Sequence, residues 1–346
     1  MDASWRRWWF RAIQAVYLPL TAVGMAWLIG KALVHARRTG ESATALASLY
    51  TRYMQHQLGV RRDVTASGLM TNLPNVSRPA LRLASAATLL GHKVTGHVPQ
   101  VYAYPYRVRP GQEHPSMRHE ATARTTYIDE ALDETLDAGR NATEQLVILG
   151  AGNDTRCYGL PDGAPPRCFE VDAPATQALK RRMLDSLGVA SGHVTFVSTD
   201  FLHEDWLEGL VAAGFDPSVR TFFVWEGVTM YLDREAVTAT LRRIAAGAAG
   251  TTVAFDYLSP RMLGSDSAVY RYSRAALAAA GEPMRFALGG SVPAREEVRA
   301  FLADCGLTLG VHHIFGAEAP GRPAFAGFAT AIVPAQGRGR HRGPET

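Results

Sequence analysis

The stretch LVILGAGNDTRCYGL, Leu146 to Leu160, runs four apolar residues into Gly150 and Gly152 and then into Asp154, Thr155 and Arg156. Glycine adopts backbone angles closed to other residues and lets a ligand approach the main chain, so a strand entering such a turn is a common cofactor cradle. Acidic residues follow four further apolar runs: Asp172 in FEVD, Asp200 beside Phe201 in STDF, Glu226 in VWEGVTMYL, and Asp256 beside Tyr257. Asp172 lies 20 residues beyond Gly152, a spacing that suits a carboxylate accepting hydrogen bonds from ribose hydroxyls. Asp200 with Phe201 suits an exocyclic amine beside a purine ring. A lone strand-end carboxylate is more often a helix N-cap, and Asp154 can be read as one. Four in register point to a shared crevice beyond the strand ends.

The same residues separate cofactors. A dinucleotide site wants a third glycine for close helix packing, and here Arg156 holds that position. An acidic rim suits a cationic centre better than a pyrophosphate. S-adenosyl-L-methionine has a sulfonium, an ammonium, two ribose hydroxyls and an adenine amine. Its single carboxylate needs a cation or a helix N-terminus, and Arg124 or Arg156 can supply the cation. An NAD-dependent dehydrogenase is the disfavoured enzyme alternative, and a catalytically silent binding protein of the same fold is the non-enzyme one.

The elements that must hold these residues are short apolar runs alternating with helical stretches. Strands are expected at Leu146–Leu149, Cys168–Val171, Val194–Val197, Phe222–Trp225 and Thr252–Tyr257, with helical patterns between them. Such alternation argues for an α/β fold with a parallel, doubly wound sheet. LTLGVHHIF and AFAGFATAIV leave no room for a helix between them and form an antiparallel pair at the sheet edge. Before the first strand, Ile128, Leu132 and Leu136 recur every four residues on one helix face, with Gly139 to stop it. Residues 44–110 read as mostly helical.

The chain has 346 residues and is 47% hydrophobic, enough for a large core. Cys157, Cys168 and Cys305 form neither a metal spacing nor a disulfide framework. Charge is unevenly spread. Residues 1–120 hold 15 Lys/Arg and 5 Asp/Glu, against 21 and 27 over 121–346. Ala12 to Gly30 is an uncharged run of 19 residues, flanked by Arg6, Arg7 and Arg11 on one side and Lys31, Arg37 and Arg38 on the other, with Trp5, Trp8, Trp9 and Trp27 at belt positions. Membrane association through residues 12–30 is expected; a buried or interfacial helix, favoured by Gln14, Thr21 and Pro19, is the competing reading. No nucleic-acid partner is expected, because the fourth strand continues as Trp225-Glu226-Gly227-Val228 and not as a base-flipping motif.

Five segments taken together, ARTTYIDEAL, LGAGNDTRCYGL, FEVDAPATQALKRRML, STDF and WEGVTMYLDREAV, resemble the leucine carboxyl methyltransferase family, and within it the bacterial branch that includes polyketide carboxyl methyltransferases. The resemblance covers residues 120–335 and fades over 1–115. It implies a class I methyltransferase fold, a seven-stranded Rossmann-like sheet with a reversed last hairpin. It implies that Arg124 pairs with the methionine carboxylate, that Gly150 and Gly152 underlie the methionine moiety, that Asp172 holds the ribose, and that Asp200 and Phe201 contact the adenine. Glu226 would sit near the amino group and sulfonium, and Tyr231 nearer the acceptor, both as positioning groups. Asp154, Thr155 and Arg156 would form a network beneath the cofactor.

The expected organisation is a hydrophobic N-terminal helix at 1–40, a helical lid and substrate region at 41–120, a methyltransferase domain at 121–335 and a disordered basic tail at 336–346. The expected acceptor is a small apolar acid. A carboxylate is already ionised and needs no base, whereas a hydroxyl would need one, and no histidine falls in a strand-end motif. The catalytic domain is expected to face the cytoplasm, held at the inner face of the membrane.

Overall fold

The computed structural model describes residues 3–42, 44–104, 106, 119–137, 139, 143–160, 165–199, 205–279 and 281–335. Asp200, Phe201, His203 and the 336–346 tail lie outside them, and so do the expectations placed there. Helices α1 (Ala3–Thr39), α2 (Ala45–Gln57), α3 (Val64–Asn72), α4 (Arg78–Thr95) and α5 (Glu120–Leu136) precede β1 (Gln145–Leu149). Then come β2 (Arg167–Asp172), α6 (Pro174–Ser186), β3 (Val194–Ser198), α7 (Trp206–Ala212), β4 (Thr221–Trp225) and α8 (Arg234–Ala245). The chain continues through β5 (Thr252–Leu258), α9 (Pro260–Leu263), α10 (Ala268–Ala279), α11 (Ala294–Asp304), β6 (Thr308–Phe315) and β7 (Ala326–Ile332).

The seven strands form one sheet in the order β3-β2-β1-β4-β5-β7-β6. β1 to β5 run parallel, while β7 is antiparallel to both β5 and β6. This is the α/β sheet with a reversed C-terminal pair expected from the sequence. The strands read as continuous apolar runs because both faces are covered. Along β1, Val147 and Leu149 enter one core, with Phe223, Trp225 and Phe255. Leu146 and Ile148 enter the other, with Phe222, Val224 and Tyr127 of α5. Two strand-level details differ from the sequence reading. β5 runs to Leu258, one residue past the expected Tyr257, and Asp256, read as an acid facing the crevice, lies within the strand. The segment between β1 and β2 also lacks an α-helix among the described residues, having one short 3-10 turn at Arg156–Tyr158.

A third core joins the helices ahead of the sheet, where Leu28, Leu49, Met54, Leu69 and Leu81 meet Leu184 of α6. α1 runs antiparallel along α4. Gly91 would bring a Cβ within 2.7 Å of the Phe10 ring, Gln14 Nε2 donates to Thr88 Oγ1 at 3.1 Å, and Lys31 Nζ donates to the Val76 carbonyl at 2.9 Å. The helix continues through Pro19. It is the one described helix long and apolar enough to cross a membrane; its buried positions are Phe10, Gly24, Leu28, Ala32 and Ala36.

Candidate active site

The sheet order reverses beside β1: successive strands step outward to β3, then β4 returns to the other side of β1. At such a switch point the loops leave in opposite directions and open a crevice at the carboxyl ends of the strands. Here the crevice is a cavity of about 1110 Å³, lined among others by Gly150, Gly152, Asp172, Glu226, Arg124 and Tyr231.

Gly150 and Gly152 both have left-handed backbone, with φ of 67° and 44°. A Cβ on Gly150 would stand 2.5 Å from Val228 Cγ2, and one on Gly152 would stand 3.0 Å from the Ala45 Cβ. The turn therefore exists only as glycine. Asp172 closes it: its carboxylate accepts the Gly152 N–H and, at 2.6 Å, the Ala173 N–H. Burial raises the Asp172 pKa and these amide bonds oppose the rise. An ionised carboxylate holds about four lone-pair sites, so acceptor capacity toward the cavity remains.

Asp154 bonds the Arg156 N–H at 2.8 Å, as a cap would, but no α-helix follows. Its other oxygen faces guanidiniums, with Arg52 at 3.3 Å and Arg156 closer still. Arg156 also pairs with Glu226 at 2.6 Å and Asp129 at 2.8 Å. Thr155 donates to Asp63 at 2.6 Å, and the second oxygen of Asp63 caps α3 through the Ala66 N–H. Asp154 lines the cavity while Arg156 does not. Arg156 braces the turn from below, so of the two cations read from the sequence only Arg124 faces the cavity. Lys180 supports the turn from α6, donating to the Asp154 carbonyl at 2.6 Å and pairing with buried Glu170 at 2.7 Å.

Glu226, one residue past β4, is the centre of the charge cluster. Three guanidiniums reach it: Arg156 at 2.6 Å, Arg124 at 3.3 Å and Arg52 at 3.5 Å; Thr125 Oγ1 donates at 2.9 Å. Burial alone would raise its pKa, but Arg156, Arg124 and Arg52 outweigh that and hold the carboxyl far below its ordinary value. Asp154 is lowered by the same contest between burial and the Arg156 and Arg52 charges. The acidic rim is thus largely neutralised by arginines from α2, α5 and the glycine turn. Asp256 does not reach the crevice: it is buried inside β5, accepting from the Gly227 N–H at 2.6 Å and from Arg124 at 3.4 Å.

Several groups here carry no sequence signal. Arg52, Asp63 and Asp129 lie far apart in the chain and read singly as surface charges. Glu120 lines the cavity and pairs with Arg124 at 2.9 Å. Burial, only partly offset by Arg124, pushes its pKa up to about 7. Glu282 accepts from Ser42 Oγ at 2.6 Å and Thr44 Oγ1 at 3.1 Å, tying the loop after α1 to the loop after α10 over the cavity. Tyr231 sits in a 3-10 turn on the cavity wall, where burial raises its pKa. Two histidines outside the strand-end motifs have structural contacts. His193 bonds the Cys157 carbonyl at 2.8 Å, and His312 stacks on Tyr257 and bonds its hydroxyl.

Residues 79–245 match the leucine carboxyl methyltransferase family. That match starts inside α4, upstream of where the motifs place it, and ends with α8. A Mycolicibacterium smegmatis protein provisionally named an S-adenosyl-L-methionine-dependent methyltransferase is 36% identical over 162 residues, 46% of this chain and 53% of that one. A Bacillus subtilis protein of the same provisional name is 33% identical over 196 residues, 55% and 61% of the two chains. The chain spans about half the length of the curated relatives it matches. Among solved structures, a magnesium protoporphyrin IX methyltransferase from Synechocystis with bound SAH is 12% identical over 64% of this chain and 89% of that one, with a TM-score of 0.41. The strand order, not that neighbour, carries the fold.

Proposed function

With residues 79–245 a segment of the leucine carboxyl methyltransferase family, we propose that the protein is an S-adenosyl-L-methionine-dependent O-methyltransferase acting on the carboxylate of an apolar metabolite. The observation that carries the reading is the pairing of two left-handed glycines with Asp172 at the switch point, all on one cavity wall. The groups present fit the cofactor. The glycine turn leaves bare backbone where a Cβ would intrude, Asp172 keeps free acceptor sites for hydroxyls, and Arg124 offers the cavity a cation for a carboxylate. Residues 41–120 serve as lid and substrate region over the domain at 121–335.

When bound, S-adenosyl-L-methionine supplies an electrophilic methyl group on a sulfonium. A carboxylate acceptor would take that methyl group as the S–C bond breaks, leaving a methyl ester and a neutral thioether, with no proton for this chain to remove. The chain's task is to align the acceptor and exclude water. Glu226 does this indirectly, by fixing Arg124 and Arg156, and Tyr231 does it on the acceptor side.

A second acceptor class is favoured by one observation. Glu120 is a cavity carboxyl with a pKa pushed up to about 7, the value a general base for a hydroxyl would need. Its substitution separates the two classes, as set out below.

Titration calorimetry of Asp172→Ala tests the cofactor reading. Wild type should bind S-adenosyl-L-methionine and not NADH, and the variant should bind at least about tenfold more weakly, since lost hydrogen bonds to a charged group are each worth about 1.5–3 kcal/mol. Equal affinity would remove Asp172 from the site, and NADH binding in place of S-adenosyl-L-methionine would overturn the function.

A further inference from the structure

The 37 residues of α1 include six Lys/Arg and no Asp/Glu. One face, Phe10, Gly24, Leu28, Ala32 and Ala36, is buried in the protein. Much of the rest of the helix is bare and apolar: Val16 is 75% exposed, Leu18 63%, Trp8 61%, Val23 58% and Trp27 49%. A soluble surface rarely carries so long an apolar stripe without a partner. Its ends are basic, with Arg6, Arg7 and Arg11 before it and Arg37 and Arg38 after it. Apolar and aromatic side chains bordered by cations, with no acid among them, complement an anionic lipid surface. A lone spanning helix would meet lipid on every side. This one is held lengthwise by α4, from the Phe10–Gly91 contact to the Lys31 bond with the Val76 carbonyl, so it lies alongside the domain.

The same helix is a wall of the cavity. Met25, Leu28, Ile29 and Leu33 line it, and Ile29 is also 51% exposed. The cavity interior and the outward stripe therefore meet at Ile29. α10 lines the cavity too, with Leu277 and Tyr272, and its end is tied to α1 where Arg37 Nε donates to the Ala279 carbonyl at 3.1 Å. Gly150, Asp172 and Arg124 bring polar groups to the cavity; α1 brings only apolar ones, and α10 brings Ala276 and Leu277 together with Tyr270, Tyr272 and Arg274. The volume, about 1110 Å³, exceeds the usual range of ligand pockets, roughly 300–1,000 Å³.

We propose that α1 lies in the plane of an anionic bilayer, and that the acceptor is a single-chain amphiphile with an acid head, drawn from that bilayer past Ile29 into the cavity along its apolar α1 wall. The proposal rests on the methyltransferase reading for the reaction, and adds the source and class of the acceptor. An acyl chain taking this path stays on apolar surface, so its transfer never exposes it to water.

The test uses the full chain. Flotation with phosphatidylcholine vesicles, with and without phosphatidylglycerol, should show binding to the anionic vesicles only. Substituting Arg6, Arg7 and Arg11 together with Gln should weaken binding about a hundredfold, from about 1 kcal/mol per basic residue near the surface. Val16→Ser with Leu18→Ser and Val23→Ser, all exposed, should abolish flotation while leaving calorimetric binding of S-adenosyl-L-methionine intact. In solution, dodecanoate should bind at least tenfold more tightly than butyrate, and Ile29→Trp should remove that preference. No flotation, equal binding to neutral vesicles, a stable dimer that buries the stripe, or no dodecanoate preference would each overturn the proposal. Loss of cofactor binding in wild type would instead overturn the methyltransferase reading, since the vesicle and fatty-acid measurements need no cofactor.

Discussion

Glu226→Gln separates a structural carboxylate from a cofactor ligand. Gln keeps the shape and can still accept from Thr125, but it removes the charge that three guanidiniums share. Each arginine keeps other partners: Arg156 has Asp154 and Asp129, Arg124 has Glu120 and Asp256, and Arg52 has Asp154 and Asp63. Breaking a buried pair costs about 3–5 kcal/mol, and the remaining partners favour the lower end, about 3 kcal/mol. At roughly 2 °C per kcal/mol for a chain of this size, thermal unfolding should fall by about 6 °C. The sign with pH follows from the depressed pKa. The folded carboxyl stays ionised to lower pH than the unfolded one, so its contribution is complete above the ordinary carboxylate range and is lost progressively as pH falls from that range down through the depressed folded value. Circular dichroism melts at pH 7 and at stepwise lower pH should show the gap between wild type and variant closing in acid. A melting point within about 1 °C of wild type at pH 7 would refute the claim that the arginines depend on this charge.

The Glu120→Gln variant decides the acceptor class. With a carboxylate acceptor, methyl transfer measured from labelled cofactor should change little between pH 6 and pH 9. With a hydroxyl acceptor it should rise through about pH 7 in wild type and be lost in the variant. Gly150→Ala should weaken cofactor binding and lower stability by about 1–2 kcal/mol from the left-handed backbone alone, with a further penalty from Val228. Adding Val228→Ala should recover only the second part, and full recovery in calorimetry would show that φ is not the constraint.

The sheet was readable because each strand is a short apolar run ending in a turn or an acidic residue, and because buried parallel strands need no alternation. Residue-level endings were less so. Asp256 has the type and position of a strand-end ligand, and only the pairing of β5 with β7 as far as Leu258–Ala326 places it inside. The glycine turn was legible through its two glycines. What surrounds it was legible only in part: Glu226 stood out as a strand-end acid, but no local pattern joins it to Arg52, Asp63 and Asp129, from α2, from the loop before α3 and from α5. The identity of Arg124 as the cavity-facing cation, and of Arg156 as the brace, depends on which side of the turn each one enters.

The position of β7 in the sheet has a consequence for how the chain is made. β7 leaves the ribosome after β6, yet it fills the slot between β5 and β6. Until residues 326–332 emerge, the edge of β5 is bare along Thr252–Leu258, with its N–H and C=O groups open to another chain. A nascent chain therefore carries an adhesive edge through the synthesis of α9, α10, α11 and β6, and seals it when β7 follows. A truncation before Ala326 leaves that edge open permanently, so its effect falls on solubility first.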